Sequence, residues 1–353
     1  MSTTILVTGG YGFIGSHFIR LLLGQRASIR VVNLDKLTYA GNADNLSDVA
    51  GHPSYGAIVG DIVDPGLVDR VFTENRPEIV VNFAAESHVD RSILNPGPFL
   101  QTNVHGVQVL LDAVRRHSVK RYVQISTDEV YGDIPPDAHP ADENAALRPS
   151  SPYSASKAAA DLLCLAYVRT YGSPILIARS SNNYGSHQFP EKLIPLTIRN
   201  ALACQVLPVY GDGKQLRDWL FVEDNVEGIL RVMDRGAVGT IYNIATETET
   251  ANLDVVELLC DLVAAKTGRS ADSLRALIRS VPDRPGHDRR YAALASRSQD
   301  ELGWQSTTSL REGLQRTISW YLSNEAWLER VATGEYRRYY DQVYNRTWNQ
   351  SPG

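Results

Sequence analysis

The segment Thr8-Gly9-Gly10-Tyr11-Gly12-Phe13-Ile14-Gly15 constrains the fold of this chain more than any other. It follows an apolar run from Ile5 to Thr8 and opens a helical pattern, so it reads as a tight turn from a strand into a helix. Gly9, Gly12 and Gly15 have the GxxGxxG spacing. Glycines there allow backbone to approach a ligand closely, and the opening turn of the helix offers free N–H groups and a positive dipole end, an arrangement suited to a pyrophosphate. Asp35 ends the second strand-like run, 20 residues after Gly15 (35 − 15). A carboxylate at that place accepts hydrogen bonds from ribose hydroxyls and repels a 2′-phosphate, which favours NAD over NADP. Asp61-Ile62, after the third strand-like run, fits a contact to the adenine edge.

The rest of the first half supports that reading. Strand-like runs at Ile29 to Leu34, Ala57 to Val59, Ile79 to Phe83, Tyr122 to Ser126 and Ile175 to Ala178 are rich in Val and Ile with little alternation, as strands buried on both faces are. Helical stretches such as Phe99 to His117 and Ser154 to Tyr171 separate them. The expected fold is α/β: a Rossmann-type doubly wound parallel sheet over 1–180, with returns near 217–245, and a smaller α/β lobe over 181–353. Thr240 to Ala245 is a candidate extra strand. Helices are expected at Asn225 to Asp234, Leu253 to Thr267 and Leu310 to Tyr321, and Tyr336, Tyr339, Tyr340, Tyr344 and Trp348 make an aromatic tail with no assigned role.

Composition excludes several classes. The formal net charge is −5, with no basic stripe of the kind nucleic-acid proteins show. The three cysteines are far apart and in no metal spacing, and the eight histidines show none either, so neither a disulfide framework nor a metal is expected. The opening residues lack a secretory pattern, and no apolar run approaches the roughly 20 residues needed to span a bilayer. A cytoplasmic protein is expected, binding neither nucleic acid nor membrane.

Tyr153-Ser154-Ala155-Ser156-Lys157 puts a phenol and an ammonium four residues apart, on one helical face. A phenol with a reference pKa of about 10 is a poor base until its anion is stabilised, which a lysine or a nicotinamide cation can do. Ser126-Thr127 closes a strand just before and offers a hydroxyl. Together with the glycine turn and Asn103 in Asn-Val-His-Gly, this set resembles the extended short-chain dehydrogenase/reductase superfamily over nearly the whole chain. Thr127-Asp128-Glu129-Val130-Tyr131-Gly132-Asp133 is more specific. Two adjacent carboxyl groups suit a step needing an acid and a base, provided the chain leaves strand geometry there, which Gly132 permits.

That string looks like the dTDP-glucose 4,6-dehydratase family, as do AAESHVDRS from Ala84, SNNYG from Ser181, FPEKLIP from Phe189, LPVYGDG from Leu207, RDW at Arg217 and DRPGHDRRY from Asp283. The resemblance implies an NAD-dependent lyase that oxidises the sugar at C4, eliminates water across C5 and C6, and reduces C6. By it, Tyr153 takes the C4 hydroxyl proton, Lys157 lowers the phenol pKa, and Thr127 binds the C4 oxygen. Glu129 then removes the C5 proton while Asp128 protonates the departing C6 hydroxyl. Cofactor contacts carry onto Phe13 and Ile14, onto Lys36, Leu37 and Thr38, onto Phe83, Ala84 and Ala85, and onto Thr102 and Asn183. Substrate contacts carry onto Ser87 and Asn182, onto Lys192 and Leu193, and onto Pro208, Val209 and Tyr210 around the base. Arg217, Asn252, Asp283, Arg284 and His287 would serve the diphosphate and nucleoside, an arginine fork suiting phosphate oxygens. A homodimer through the helices at Phe99 to His117 and Ser154 to Tyr171 is also implied.

The chain departs from the family pattern in places. The stretch from Glu129 to Tyr153 is short, Ala245 stands where a glycine often does, and Tyr291 to Ala295 matches loosely. A UDP-glucose 4,6-dehydratase shares the Asp-Glu pair and stays open as an alternative. A 4-epimerase is disfavoured by Asp128 and Glu129, and a non-catalytic NAD(H)-binding protein by the intact Tyr153 and Lys157.

Overall fold

A computed structural model describes residues 2–331, so the tail aromatics from Tyr336 onward lie outside the described residues. Its strands are β1 (Thr3–Thr8), β2 (Ile29–Asp35), β3 (Tyr55–Val59), β4 (Ile79–Asn82), β5 (Arg121–Thr127), β6 (Ile175–Ser180), β7 (Asn182–Tyr184), β8 (Leu207–Tyr210), β9 (Leu216–Phe221), β10 (Ile241–Ile244), β11 (Glu249–Ala251) and β12 (Ile278–Val281). Seven of them form one parallel sheet in the order β10-β6-β5-β4-β1-β2-β3. The fold is therefore mixed α/β of Rossmann type, as the alternating pattern implies.

Side chains alternate between two cores, which is why the strands read as continuous apolar runs. On β5, Val123 and Ile125 pack with Phe18, Leu22, Val226 and Ile229 from the helices Phe13–Gln25 and Val222–Arg235. Tyr122 faces the opposite core with Phe72, Leu110 and Cys164, from the helices Pro65–Asn75, Val107–Arg116 and Pro152–Tyr171.

The order of strands fixes where a ligand can enter. The chain builds outward from β1 to β3 on one side, then crosses back to β4 and builds the other way. Loops after β1 and β4 diverge there, leaving a crevice at the carboxyl ends of the strands. The two loops also touch: a Cβ on Gly9, at φ +72, would lie 2.5 Å from the Ala84 backbone nitrogen.

The remaining strands make two small sheets, β11-β9-β7 and β12-β8, packed with the helices Leu193–Leu202, Asn252–Thr267 and Leu310–Ser323 around a third core. The return to the main sheet is narrower at its start than 217–245, because Leu216–Phe221 pairs with β7 and β11; it begins with the helix at Val222. The candidate strand at 240–245 is β10, parallel to β6. A second return went unread in the sequence: helix Ser296–Leu302 packs on β10, and Trp304 is buried in the first core.

The stretch from Phe99 to His117 is not one α-helix. A short turn at Gly97–Phe99 widens into a π-helical segment, Leu100–Gly106, before the α-helix Val107–Arg116. Asn103 lies in the wide segment. Its Oδ1 accepts from the Glu86 amide at 2.9 Å, and its Nδ2 donates to the Glu86 carbonyl at 2.9 Å and to Ser156 Oγ at 2.8 Å. Those bonds tie the loop after β4 to the tyrosine–lysine helix, a use typical of π-bulges at functional sites.

Candidate active site

Two chambers open along the crevice and share Phe13, Ile14, Ser87, Tyr153, Glu191 and Lys192, so they form one cleft. The first chamber is built on the glycine turn. Gly12 caps the helix Phe13–Gln25 without a side-chain hydrogen bond, leaving the opening amides for a ligand. A Cβ on Gly15 would lie 2.4 Å from the Gly9 carbonyl oxygen, so that glycine keeps the turn closed. Gly12 meets only that oxygen, at 3.2 Å, and its bare face is where a pyrophosphate can approach.

Asp35 is buried at the rim of this chamber. Its Oδ2 accepts from the Tyr11 amide at 2.9 Å and its Oδ1 from the Leu37 amide at 2.8 Å. Burial raises its carboxyl and these two amides oppose the shift. Lys36, Thr38, Asp61, Ile62, Phe83, Ala84, Ala85 and Thr102 line the same chamber, with Lys36 Nζ 2.6 Å from Asp61 Oδ2. Leu37 does not line it. At φ +55 the backbone turns its amide onto Asp35 and leaves the side chain exposed. These residues fit a dinucleotide with two free ribose hydroxyls.

The catalytic side chains meet where the chambers join. Tyr153 and Lys157 lie on the helix Pro152–Tyr171, whose start is fixed by a capping box between Ser151 and Ser154. Lys157 Nζ donates to the Ile125 carbonyl at 2.6 Å, and burial lowers its ammonium to about 8, with Asp161 working against that. Burial first, and then the Glu129 charge, push the Tyr153 phenol well above the ordinary range, with Thr127 working against that. A positive charge brought beside the phenol, such as a nicotinamide cation, would lower it.

The Asp-Glu pair leaves strand geometry as its chemistry requires. Thr127 ends β5, and Asp128–Tyr131 forms a 3-10 turn closed by Gly132 at φ +75. Thr127 Oγ1 accepts from the Glu129 amide at 3.3 Å and donates to Asp128 Oδ1 at 3.3 Å. Thr127 and Glu129 line the second chamber, while Asp128 is not among its lining residues and sits buried against the Thr127 hydroxyl. Asp128 Oδ2 and Glu129 Oε2 have no partner among the described residues.

Environment separates the two acids. Burial, then the charges of Glu129 and Asp218, raise the Asp128 carboxyl well above the usual range. Burial raises Glu129 too, but Arg284, Lys192 and Arg217 pull it back. Both carboxyls are raised, Asp128 the more strongly, so their environments differ.

Cations line the rest of the second chamber. Burial would raise Asp90, but His88 and Arg284 outweigh it and hold the carboxyl at about 2. Asp90 accepts from Arg284 Nη1 at 3.0 Å and from Tyr210 Oη at 2.9 Å. Arg217 donates to the Asp288 carbonyl at 2.7 Å and lies 4.0 Å from the Tyr291 ring centroid. Lys192 Nζ reaches the Ser87 carbonyl at 2.8 Å. Ser87, Asn182, Leu193, Pro208, Val209, Asn252 and His287 complete the expected lining.

Besides Leu37 and Asp128, two more expected residues stand elsewhere. Asn183 lines this second chamber and not the first, because β7 runs beside β9 in the small sheet. Asp283 is off the wall: its carboxylate holds His287 Nδ1 at 2.6 Å, Gln215 Nε2 at 3.1 Å and the Arg284 amide at 2.9 Å, organising the turn that presents them. The sequence reading missed His88, Asp90, Gln188, Glu191 and Trp219, all of which line the cleft. A usable signal was the cluster of charge inside the AAESHVDRS and FPEKLIP segments. The short loop after Gly132 is firmly held, with Asp133 Oδ1 accepting from the Arg289 and Arg290 amides at 2.7 and 2.9 Å. The loosely matching stretch beyond it is buried and bridges Ala141 through Ala293.

Comparison with known proteins agrees with this geometry. The family model for GDP-mannose 4,6 dehydratase matches residues 6–317. A dTDP-glucose 4,6-dehydratase of Xanthomonas campestris pv. campestris (strain B100) is 49% identical over 344 residues, covering 95% of this chain and 97% of that protein. Among solved structures, a dTDP-glucose 4,6-dehydratase from Streptomyces venezuelae with NAD bound superposes with TM-score 0.87 at 43% identity, covering 93% of this chain and 100% of that one. The enzyme of the same name from Bacillus anthracis str. Ames, in complex with NAD, gives TM-score 0.85 at 42% identity, with 94% of this chain and 100% of that one covered. Identity this high over nearly the full length, together with Glu129 lining the chamber beside Tyr153, places the chain in the dTDP-glucose 4,6-dehydratase family.

Proposed function

We propose that the protein is an NAD-dependent hydro-lyase converting dTDP-glucose to dTDP-4-dehydro-6-deoxy-glucose and water. The observation that carries this reading is the turn Asp128–Tyr131, which brings Glu129 to the chamber where Tyr153 already stands and buries Asp128 next to it against the Thr127 hydroxyl. Oxidation alone, or epimerisation, has no use for that pair.

When bound, NAD⁺ supplies a hydride acceptor that is restored before the product leaves. The chain's own residues handle the protons. Tyr153 takes the proton from the C4 hydroxyl, and Thr127 holds the C4 oxygen. A ketone at C4 acidifies the C5 hydrogen, so the base has nothing to do until oxidation has occurred. Glu129 then removes the C5 proton and Asp128 gives one to the C6 hydroxyl, which departs as water; the hydride taken from C4 is delivered to C6, and Glu129 returns the proton to C5. Arg217, Arg284 and Lys192 supply positive charge for the diphosphate.

Purified protein incubated separately with dTDP-, UDP-, GDP- and CDP-glucose is expected to yield, from dTDP-glucose, a product lighter by one water in mass spectrometry. No reduced nicotinamide should build up. Absence of dehydrated product from all four would overturn the reading, and dehydration of UDP-glucose alone would change the nucleotide only.

The same reading includes a homodimer in the cytoplasm. Leu100 and Leu162 are 55% and 57% exposed on the segments around 97–116 and 152–171, apolar side chains that a second copy would cover. Sedimentation of the full chain as a monomer at micromolar concentration would exclude it. No described helix is long and apolar enough to cross a membrane, and no described cluster of His, Cys, Asp and Glu could hold a metal.

A further inference from the structure

Tyr153, Lys157 and Asp161 follow one another at i, i+4 and i+8 along the helix Pro152–Tyr171, so they share a face. The first two line the cleft, but Asp161 is wholly buried behind them. Its Oδ2 accepts from Arg179 Nε at 2.8 Å, and Arg179, on β6, is itself 2% exposed. Arg179 Nη1 donates to Tyr131 Oη at 2.9 Å, and that hydroxyl donates to Asn243 Oδ1 on β10 at 2.7 Å. Tyr131 closes the turn that carries Asp128 and Glu129. A continuous buried chain thus runs from the tyrosine–lysine helix, through the sheet, to the acid–base turn.

We propose that Asp161, Arg179 and Tyr131 are positioning residues that register the acid–base turn against the tyrosine–lysine helix, so that elimination follows oxidation without delay. None of the three lines either chamber, so none touches substrate. Packing alone does not account for them. Burying an ion pair is costly, and apolar side chains of similar volume commonly hold the same elements as well or better. What a guanidinium adds is direction: its planar fork binds a carboxylate on one edge and a hydroxyl on another at fixed angles. Asn243 anchors the far end, its Nδ2 donating to the carbonyls of Ala141 at 3.2 Å and Leu294 at 3.0 Å.

The consequence is specific to one half of the reaction, and it rests on the dehydratase reading. Tyr153 and Lys157 are held by their own long, capped helix, so a slack turn leaves the oxidising groups in place. Glu129 and Asp128 ride on the turn itself. Loosening the network therefore slows removal of the C5 proton more than oxidation at C4.

Tyr131→Phe removes only the hydroxyl, and Arg179→Lys keeps the charge while losing the fork. Each is measured as the full-length NAD-loaded enzyme with dTDP-glucose, beside the unaltered protein. The readouts are kcat, KM, the absorbance of reduced nicotinamide during a single turnover, and deuterium uptake from solvent at C5. The expected result is a KM within about two-fold of the parent. Turnover should drop on the order of ten-fold, with reduced nicotinamide now building up and C5 exchange slowed. Unchanged turnover in both variants, or oxidation slowed as much as turnover, overturns the proposal. Failure of the unaltered protein to dehydrate the sugar refutes the activity itself, and the proposal with it.

Discussion

A Tyr153→Phe enzyme will bind dTDP-glucose and NAD much as the parent does, yet turn over about 10³-fold more slowly, since general acid–base catalysis contributes on this scale. In the proposed mechanism the phenol oxygen accepts the C4 hydroxyl proton, and Tyr153 lines both chambers. Phenylalanine keeps the ring, which packs edge-on against Phe99 with centroids 6.4 Å apart, so the fold has no reason to suffer. Oxidation at C4 opens the whole sequence, so no reduced nicotinamide should form in a single turnover. A variant that still turned over at parental rates would end the dehydratase reading and revive that of a nucleotide-binding protein whose tyrosine is structural.

Glu129→Gln should fail differently. Oxidation at C4 needs Tyr153 and Thr127, both intact, but the C5 proton then has no base. Reduced nicotinamide should accumulate towards one equivalent per site, while dehydrated product falls by about 10²- to 10⁴-fold. Loss of product without any reduced nicotinamide would place Glu129 in binding or oxidation and overturn its assignment as the base. The pH dependence has a definite sign. Glu129 must be ionised, and its carboxyl is raised by burial, so acidification through its pKa removes the base. Asp128 must be protonated, and its carboxyl is raised further by burial and Glu129, so alkalinity removes the acid. A bell-shaped kcat profile follows, its two limbs belonging to the coupled pair. In Glu129→Gln, the acid limb of the elimination step should vanish.

The different outcomes expected for these two changes reflect the order built into the cleft. In the proposed mechanism Tyr153, on its capped helix, acts first, and Glu129, on the turn, acts only after a carbonyl has formed. The buried tie through Asp161, Arg179 and Tyr131 links the two supports.

Much of the site was legible in the chain because its parts are local. The glycine turn, Asp35 at a strand end and the Tyr153–Lys157 pair at helical spacing each depend on residues a few positions apart, where covalent geometry leaves little choice. The break in strand geometry at Asp128 could be read from the adjacent carboxyl groups and Gly132, and the 3-10 turn has that form. Long apolar runs marked the strands of the parallel sheet for the same reason: burial on both faces imposes a pattern that needs no partner to be recognised.

Only the tertiary structure decided what depends on residues distant in sequence. Asp90 and Arg284 lie 194 positions apart and pair in one chamber wall. The π-helical turn at Leu100–Gly106 depends on bonds from Asn103 to Glu86 and Ser156, which no local propensity encodes. Asn183 moved to the other chamber and Asp283 off the wall because sheet pairing and turn capping, set by distant segments, aim their side chains. The raised phenol of Tyr153 is likewise a product of burial, which no spacing along the chain encodes. Sequence spacing determined which groups are neighbours along the chain; desolvation and long-range hydrogen bonds determined where each of them points and which proton it holds.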